Sequence, residues 1–129
     1  MLKSKKILLD TNFLLIPGQF GVDIFEELKK SFGDEIELEV LENSLKELEK
    51  VAKTAKGADK DAIKLALALI KNINIIKTDK NNHVDDIIVD MADRWFAVCT
   101  QDIGLRKRLE TIGKKVIILR QKKYLQIRG

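Results

Sequence analysis

The chain has 129 residues, 45% of them apolar and 34% charged, with a formal net charge of +4. One domain is the expectation at that length, and the composition supplies a core beneath a charged surface, which excludes a disordered chain. The single cysteine, Cys99, excludes an intrachain disulfide, and one Cys with one His excludes a zinc-type cluster.

Ile7 to Leu9 reads as a buried strand, ending abruptly in Asp10-Thr11-Asn12. Charges interrupt every apolar run well short of ~18 residues, so no membrane span is expected. The opening lysines before ILLDTNFLL have the outline of a leader. Asp10 and Asn12 break that run, however, and no small-residue cleavage site follows. A reducing, cytoplasmic location is expected.

Pro17-Gly18 and Gly21 mark a loop, and Val22 to Phe32 reads as a helix. Residues 35–40 alternate apolar positions with acids, as a half-buried strand or sheet edge does. Leu41, Leu45, Leu48, Val51 and Ala52 mark a helix, Gly57 interrupts, and Ala58 to Lys71 is another helix. Ile73, Ile75 and Ile76 suggest a short strand, followed by a turn at Asp79 to Asn82. Val84, Ile87, Ile88, Met91 and Ala92 have the spacing of an amphipathic helix. Trp95 to Thr100 reads as a strand, in which Cys99 is a buried structural thiol rather than a nucleophile. A helix over Ile103 to Ile112, ended by Gly113, leads to a buried strand at Val116 to Leu119. The tail, residues 121–129, is an edge strand or loose. Strands alternating with helices give an α/β domain with a mainly parallel sheet.

Charge is unevenly placed. Residues 1–93 hold 14 Lys/Arg against 18 Asp/Glu, and residues 94–129 hold 10 against 2. A basic final third beside an acidic remainder suits a phosphate-binding surface next to a metal site, and equally a solvated surface.

A carboxylate at the end of a buried strand is costly unless it is paired or binds a metal. In parallel sheets, ligands bind beyond the carboxyl ends of strands. Asp10 and Asp102 both fall there. On the helix from Val84, at ~100° per residue, the apolar stripe centres near Val84 and Met91, with Asp85 on its rim. Asp86, Asp90 and Asp93 point more nearly away. Charge complementing the helix dipole also accounts for Asp85 and Asp86. Glu47 and Glu49 both flank the stripe of their helix, and Ser44-x-x-Glu47 also matches a capping box. His83 precedes the helix with no Cys or Ser partner nearby in sequence. Clustered carboxylates without Cys or His suit Mg²⁺ or Mn²⁺.

Over nearly its whole length the chain resembles PIN-domain nucleases. ILLDTNFLL is similar to the family's first motif, with Asp10 as the first metal-binding acid beside Thr11 and Asn12. VLENSLKELEKV resembles the second, in which the acid before Leu is functional, and this selects Glu47. HVDDIIVDMA is similar to the third and favours Asp85, with Asp86 the alternative. VCTQDIGLRKRL resembles the fourth, with Thr100 and Asp102 in place; Gly104 stands where some relatives carry another acid. The combination is more similar to the branch of VapC-type toxins and ribosomal-RNA-processing nucleases than to flap endonucleases.

The resemblance implies one PIN-like three-layer domain over residues 1–129, its mainly parallel central sheet flanked by helices. It implies a Mg²⁺- or Mn²⁺-dependent ribonuclease in which Asp10, Glu47, Asp85 (or Asp86) and Asp102 hold the ions. Thr11, Asn12 and Thr100 would orient carboxylates or waters. Arg106, Lys107 and Arg108 would meet the RNA backbone, or else be ordinary helix-surface charge. RNA is the expected partner, with a small protein inhibitor if the chain is a toxin, and a homodimer is common in the family. The rival from another class is a PIN-type RNA-binding or assembly module with little activity. An aspartate-nucleophile phosphatase would want a second acid where Asn12 stands.

Overall fold

The computed structural model describes residues 4–129. Its strands are β1 (Lys5–Leu9), β2 (Ile36–Leu41), β3 (Asn74–Ile76), β4 (Ala97–Cys99), β5 (Lys115–Arg120) and β6 (Tyr124–Arg128). They form one sheet in the order β3-β2-β1-β4-β5-β6. Pairing is parallel from β3 through β5, and β6 closes the edge antiparallel to β5.

Period-two alternation sends neighbouring strand residues to opposite faces. Ile7, Leu9, Ala97, Cys99, Ile117 and Leu119 join one core, and Leu8, Val98, Val116 and Ile118 join the other. The first is covered by α1 (Thr11–Leu14), α2 (Ile16–Phe20), α3 (Ile24–Phe32), α4 (Glu42–Ala52) and α5 (Gly57–Ile70). The second is covered by α6 (Val84–Asp90), a 3-10 turn at Ala92–Arg94, and α7 (Ile103–Thr111). The result is the expected three-layer α/β arrangement. Cys99 is fully buried, and burial pushes its thiol well above the ordinary range.

Four local expectations need correction. Residues 16–20, read as a loop, are helical. Pro17 lies in the first turn, where a missing N–H costs nothing, and Gly21 at φ 67 ends the helix. Gly18 is needed because a Cβ there would lie 2.5 Å from the Ala62 Cα of α5. Second, the strand expected over Trp95 to Thr100 covers only Ala97–Cys99, because the 3-10 turn ends at Trp95. Third, β2 is not simply half-buried. Glu39 is buried and accepts bonds from Arg94 Nε at 2.9 Å, Arg94 Nη2 at 3.1 Å and Trp95 Nε1 at 2.9 Å. Burial pushes the Glu39 pKa up, but those donors outweigh it and hold the carboxyl below its usual value. Fourth, the stripe of α6 centres on the buried Ile87 and Ile88, with Val84 and Met91 only half-buried. The tail, left open between strand and coil, is β6 through residue 128.

Candidate functional site

The chain runs outward from β1 to β2 and β3, then returns to pair β4 on the other side of β1. The carboxyl ends of β1 and β4 therefore flank the point where the strand order reverses, the preferred ligand position in such sheets. Asp10 follows β1 directly, and its N–H donates to the Cys99 carbonyl of β4 at 2.9 Å. Thr100 and Asp102 follow β4.

A cavity of about 420 Å³ opens there, lined by Asp10, Thr11, Asn12, Leu15, Glu47, His83, Val84, Asp85 and Asp102. Four acids from four separate chain segments thus meet at one cleft. Asp10 is 4% exposed. Its Oδ1 accepts from the Thr11 N–H at 2.8 Å and its Oδ2 from the Thr100 hydroxyl at 2.7 Å. Each oxygen keeps a further lone pair. The same Thr100 oxygen accepts the Asp102 N–H at 3.1 Å, so one buried hydroxyl positions two acids. Asp102 caps α7 through Oδ1, which accepts the Leu105 N–H at 2.9 Å. Asn12 Oδ1 accepts the Gln101 N–H at 3.0 Å and ties α1 to the turn after β4.

Glu47 lies on α4 and accepts the Thr11 hydroxyl at 3.2 Å. The capping-box explanation fails, because α4 begins at Glu42 with Leu41 as its N-cap, three positions before Ser44. Asp85 lines the cavity. Asp86 does not, and is paired instead with Arg108 at 2.9 Å. Of the three basic residues expected to meet RNA, Arg106 lies 3.7 Å from Glu110 and Arg108 is taken by Asp86. Lys107 has no ion pair among the described residues.

Electrostatics mark the same cluster. Burial, reinforced by Asp85 and Glu47, pushes the Asp10 carboxyl from 3.8 up to about 6, against the bonds from Thr100 and Thr11. Burial, followed by repulsion from Asp102, raises Asp85 as well. Carboxylates that raise one another are relieved by a shared cation. Their all-oxygen chemistry fits a hard divalent ion. Among the described residues, however, no three Asp, Glu, His or Cys side chains stand close enough to grip one ion as they are now placed. The donors fit such an ion by chemistry and shared cavity.

Residues 7–122 match the model of the PIN like domain. The chain belongs to the PIN-like domain family. Ribonuclease VapC4 of Methanocaldococcus jannaschii is 33% identical to it over 128 residues, spanning 96% of this chain and 97% of that one. The fold is similar to that of the PIN domain endonuclease Utp24, with a TM-score of 0.76 at 22% identity, covering 95% of this chain and 90% of that one. A domain of a functionally unknown protein from Methanocaldococcus jannaschii superposes with a TM-score of 0.63 at 18% identity, over 91% and 92% of the two chains. No described helix of this PIN-like domain is long and apolar enough to cross a membrane.

Two features of this PIN-like site escaped the sequence reading. His83, an exposed residue with no expected role, lines the acidic cavity. Lys46 and Lys50 share the face of α4 that carries Glu47, a spacing visible as i, i+3, i+4 and i+7 from Asn43. Averaging charge over residues 1–93 hid them.

Proposed function

We propose that this PIN-like domain is a Mg²⁺- or Mn²⁺-dependent endoribonuclease of the VapC-like kind, hydrolysing RNA phosphodiesters at the cavity after β1 and β4. The observation that carries the proposal is that Asp10, Glu47, Asp85 and Asp102, from four separate segments, line one cavity beside the switch point of the sheet. The likeness to Ribonuclease VapC4 over nearly the full length supports RNA as substrate.

These four acids would hold the ion or ions, and Asp86 is left to its pair with Arg108. Bound divalent cations supply an activated water and stabilise charge developing on the phosphoryl oxygens. The chain's own work is positional. Thr100 fixes Asp10 and Asp102 relative to each other, the Thr11 hydroxyl steers Glu47, and Asn12 keeps the two turns in register. If the biological role is that of a toxin, a small protein inhibitor would be its partner.

The test is cleavage of labelled total RNA by purified protein with Mn²⁺, Mg²⁺ or EDTA, alongside Asp10→Asn. Metal-dependent cutting that the variant lacks is the expected result. RNA bound but uncut under every metal would turn the reading to a binding or assembly module. Cutting by Asp10→Asn at the wild-type rate would discard the site as drawn.

A further inference from the structure

A second groove, of about 390 Å³, adjoins the acidic cavity. It is lined by Asn43, Lys46, Glu47, Lys50, Asn82, His83 and Val84. Glu47, His83 and Val84 line both hollows, so the two adjoin, and a strand leaving the acidic cavity past these residues enters this groove; we term the pair the channel. One wall is the Asn43–Lys46–Glu47–Lys50 face of α4, and the other is the segment entering α6. Asn43 Nδ2 donates to the Lys80 carbonyl at 3.4 Å and links the two walls.

Charge changes sign along this channel. The acidic end would take a cation, whereas the α4 end presents two lysines, two amides and an imidazole. Lys46 is largely solvent-exposed and only loosely paired with Glu42 at 3.5 Å, and Lys50 has no ion pair among the described residues. Both ammonium groups are free to swing to an anion. The amides and the imidazole can bond sugar hydroxyls, phosphate oxygens or base edges. On α7, Arg108 is held by Asp86 at 2.9 Å, Arg106 lies 3.7 Å from Glu110, and Lys107, without an ion pair among the described residues, does not line either hollow.

We infer that the single-stranded RNA flanking the scissile phosphate lies along this channel, with Lys46 and Lys50 meeting successive backbone phosphates. Asn43, Asn82 and His83 line the same groove and would bond the strand beside the lysines. The inference rests on the ribonuclease reading and deepens it, by moving the expected RNA path from α7 to α4.

The experiment measures binding of a labelled random-sequence single-stranded RNA pool in Mg²⁺ across a NaCl series. Every protein carries Asp10→Asn so that RNA stays intact. Lys46→Ala with Lys50→Ala is compared with the parent. The control is Lys30→Ala with Lys71→Ala: Lys30 lies near the end of α3 and Lys71 just after α5, each shortly before a parallel strand and thus at the opposite edge of the sheet. For single strands each lost phosphate contact lowers the log–log salt slope by about 0.7, so the groove variant should lose about 1.4 and the control nothing. A groove variant with the parent's slope and affinity overturns the channel alone. Equal losses in both pairs also overturn it, since the effect would then be general charge. A parent that binds no RNA at any salt overturns the ribonuclease reading itself.

Discussion

Replacing Asp10 by Asn should make the metal-free protein more stable while removing its activity. Asp10 is buried among other acids, and its carboxyl titrates near 6 in the folded state against 3.8 ordinarily. Between those values the folded chain holds a proton that the unfolded chain has lost. The ionised group therefore costs stability, beginning near pH 3.8 and complete above 6, on the order of 3 kcal/mol in all. Asparagine removes the charge but weakens the bonds from Thr11 and Thr100, which offsets part of the gain. A net gain of about 1–3 kcal/mol is expected at pH 7.5. Urea unfolding of both proteins in EDTA, at pH 7.5 and 4.5, measures it. The gap should narrow by about 2 kcal/mol at the lower pH, where wild-type Asp10 is protonated in the folded state. Adding Mn²⁺ should stabilise the wild type selectively. A variant less stable than wild type at pH 7.5, or a gap that ignores pH, would refute the reasoning.

Three further outcomes are expected. Asp102→Ala should lose both activity and about 1 kcal/mol of stability, because Asp102 caps α7, whereas Asp102→Asn should keep the cap and lose only activity; thermal melts beside cleavage assays separate the two. Gly18→Ala, normally a stabilising change in a helix, should instead destabilise by about 1–3 kcal/mol in urea, since the new methyl would meet the Ala62 backbone. Arg94→Ala should cost about 1–3 kcal/mol by leaving the buried Glu39 with Trp95 alone. That Glu39 contribution is present above pH 4.5 and fades as pH falls through its lowered value, so the wild-type and Arg94→Ala unfolding curves should converge in acid.

What was legible in the sequence follows from what short-range pattern can carry. Asp10 was visible because an acid straight after an apolar run has one cheap explanation in a parallel sheet, and Asp102 because it falls just past the end of a second such strand. Asp85 was favoured over Asp86 by helical phase, and the two side chains do diverge, one lining the cavity and the other bonding Arg108. Glu47 could not be separated from Glu49 by periodicity, since both flank the apolar stripe; the capping-box alternative was already weakened by a helical pattern that begins before Ser44, and β2 does run straight into α4 at Glu42. Long-range pairing was illegible. Glu39 read as a solvent-facing acid because its partners, Arg94 and Trp95, lie 55 and 56 residues away. Arg108 read as available to RNA for the same reason, its partner Asp86 lying 22 residues away. Pro17 and Gly18 read as breakers, since nothing local says that a proline sits in a first turn or that a glycine faces another helix.

The central claim is that Asp10, Glu47, Asp85 and Asp102 close on a divalent ion. Anomalous diffraction from crystals grown in Mn²⁺ tests it most directly. A manganese peak within oxygen-ligand distance of these carboxylates, lost in Asp10→Asn crystals, is the predicted result. A peak held elsewhere on the chain, or none in the cavity at saturating Mn²⁺, would contradict the account.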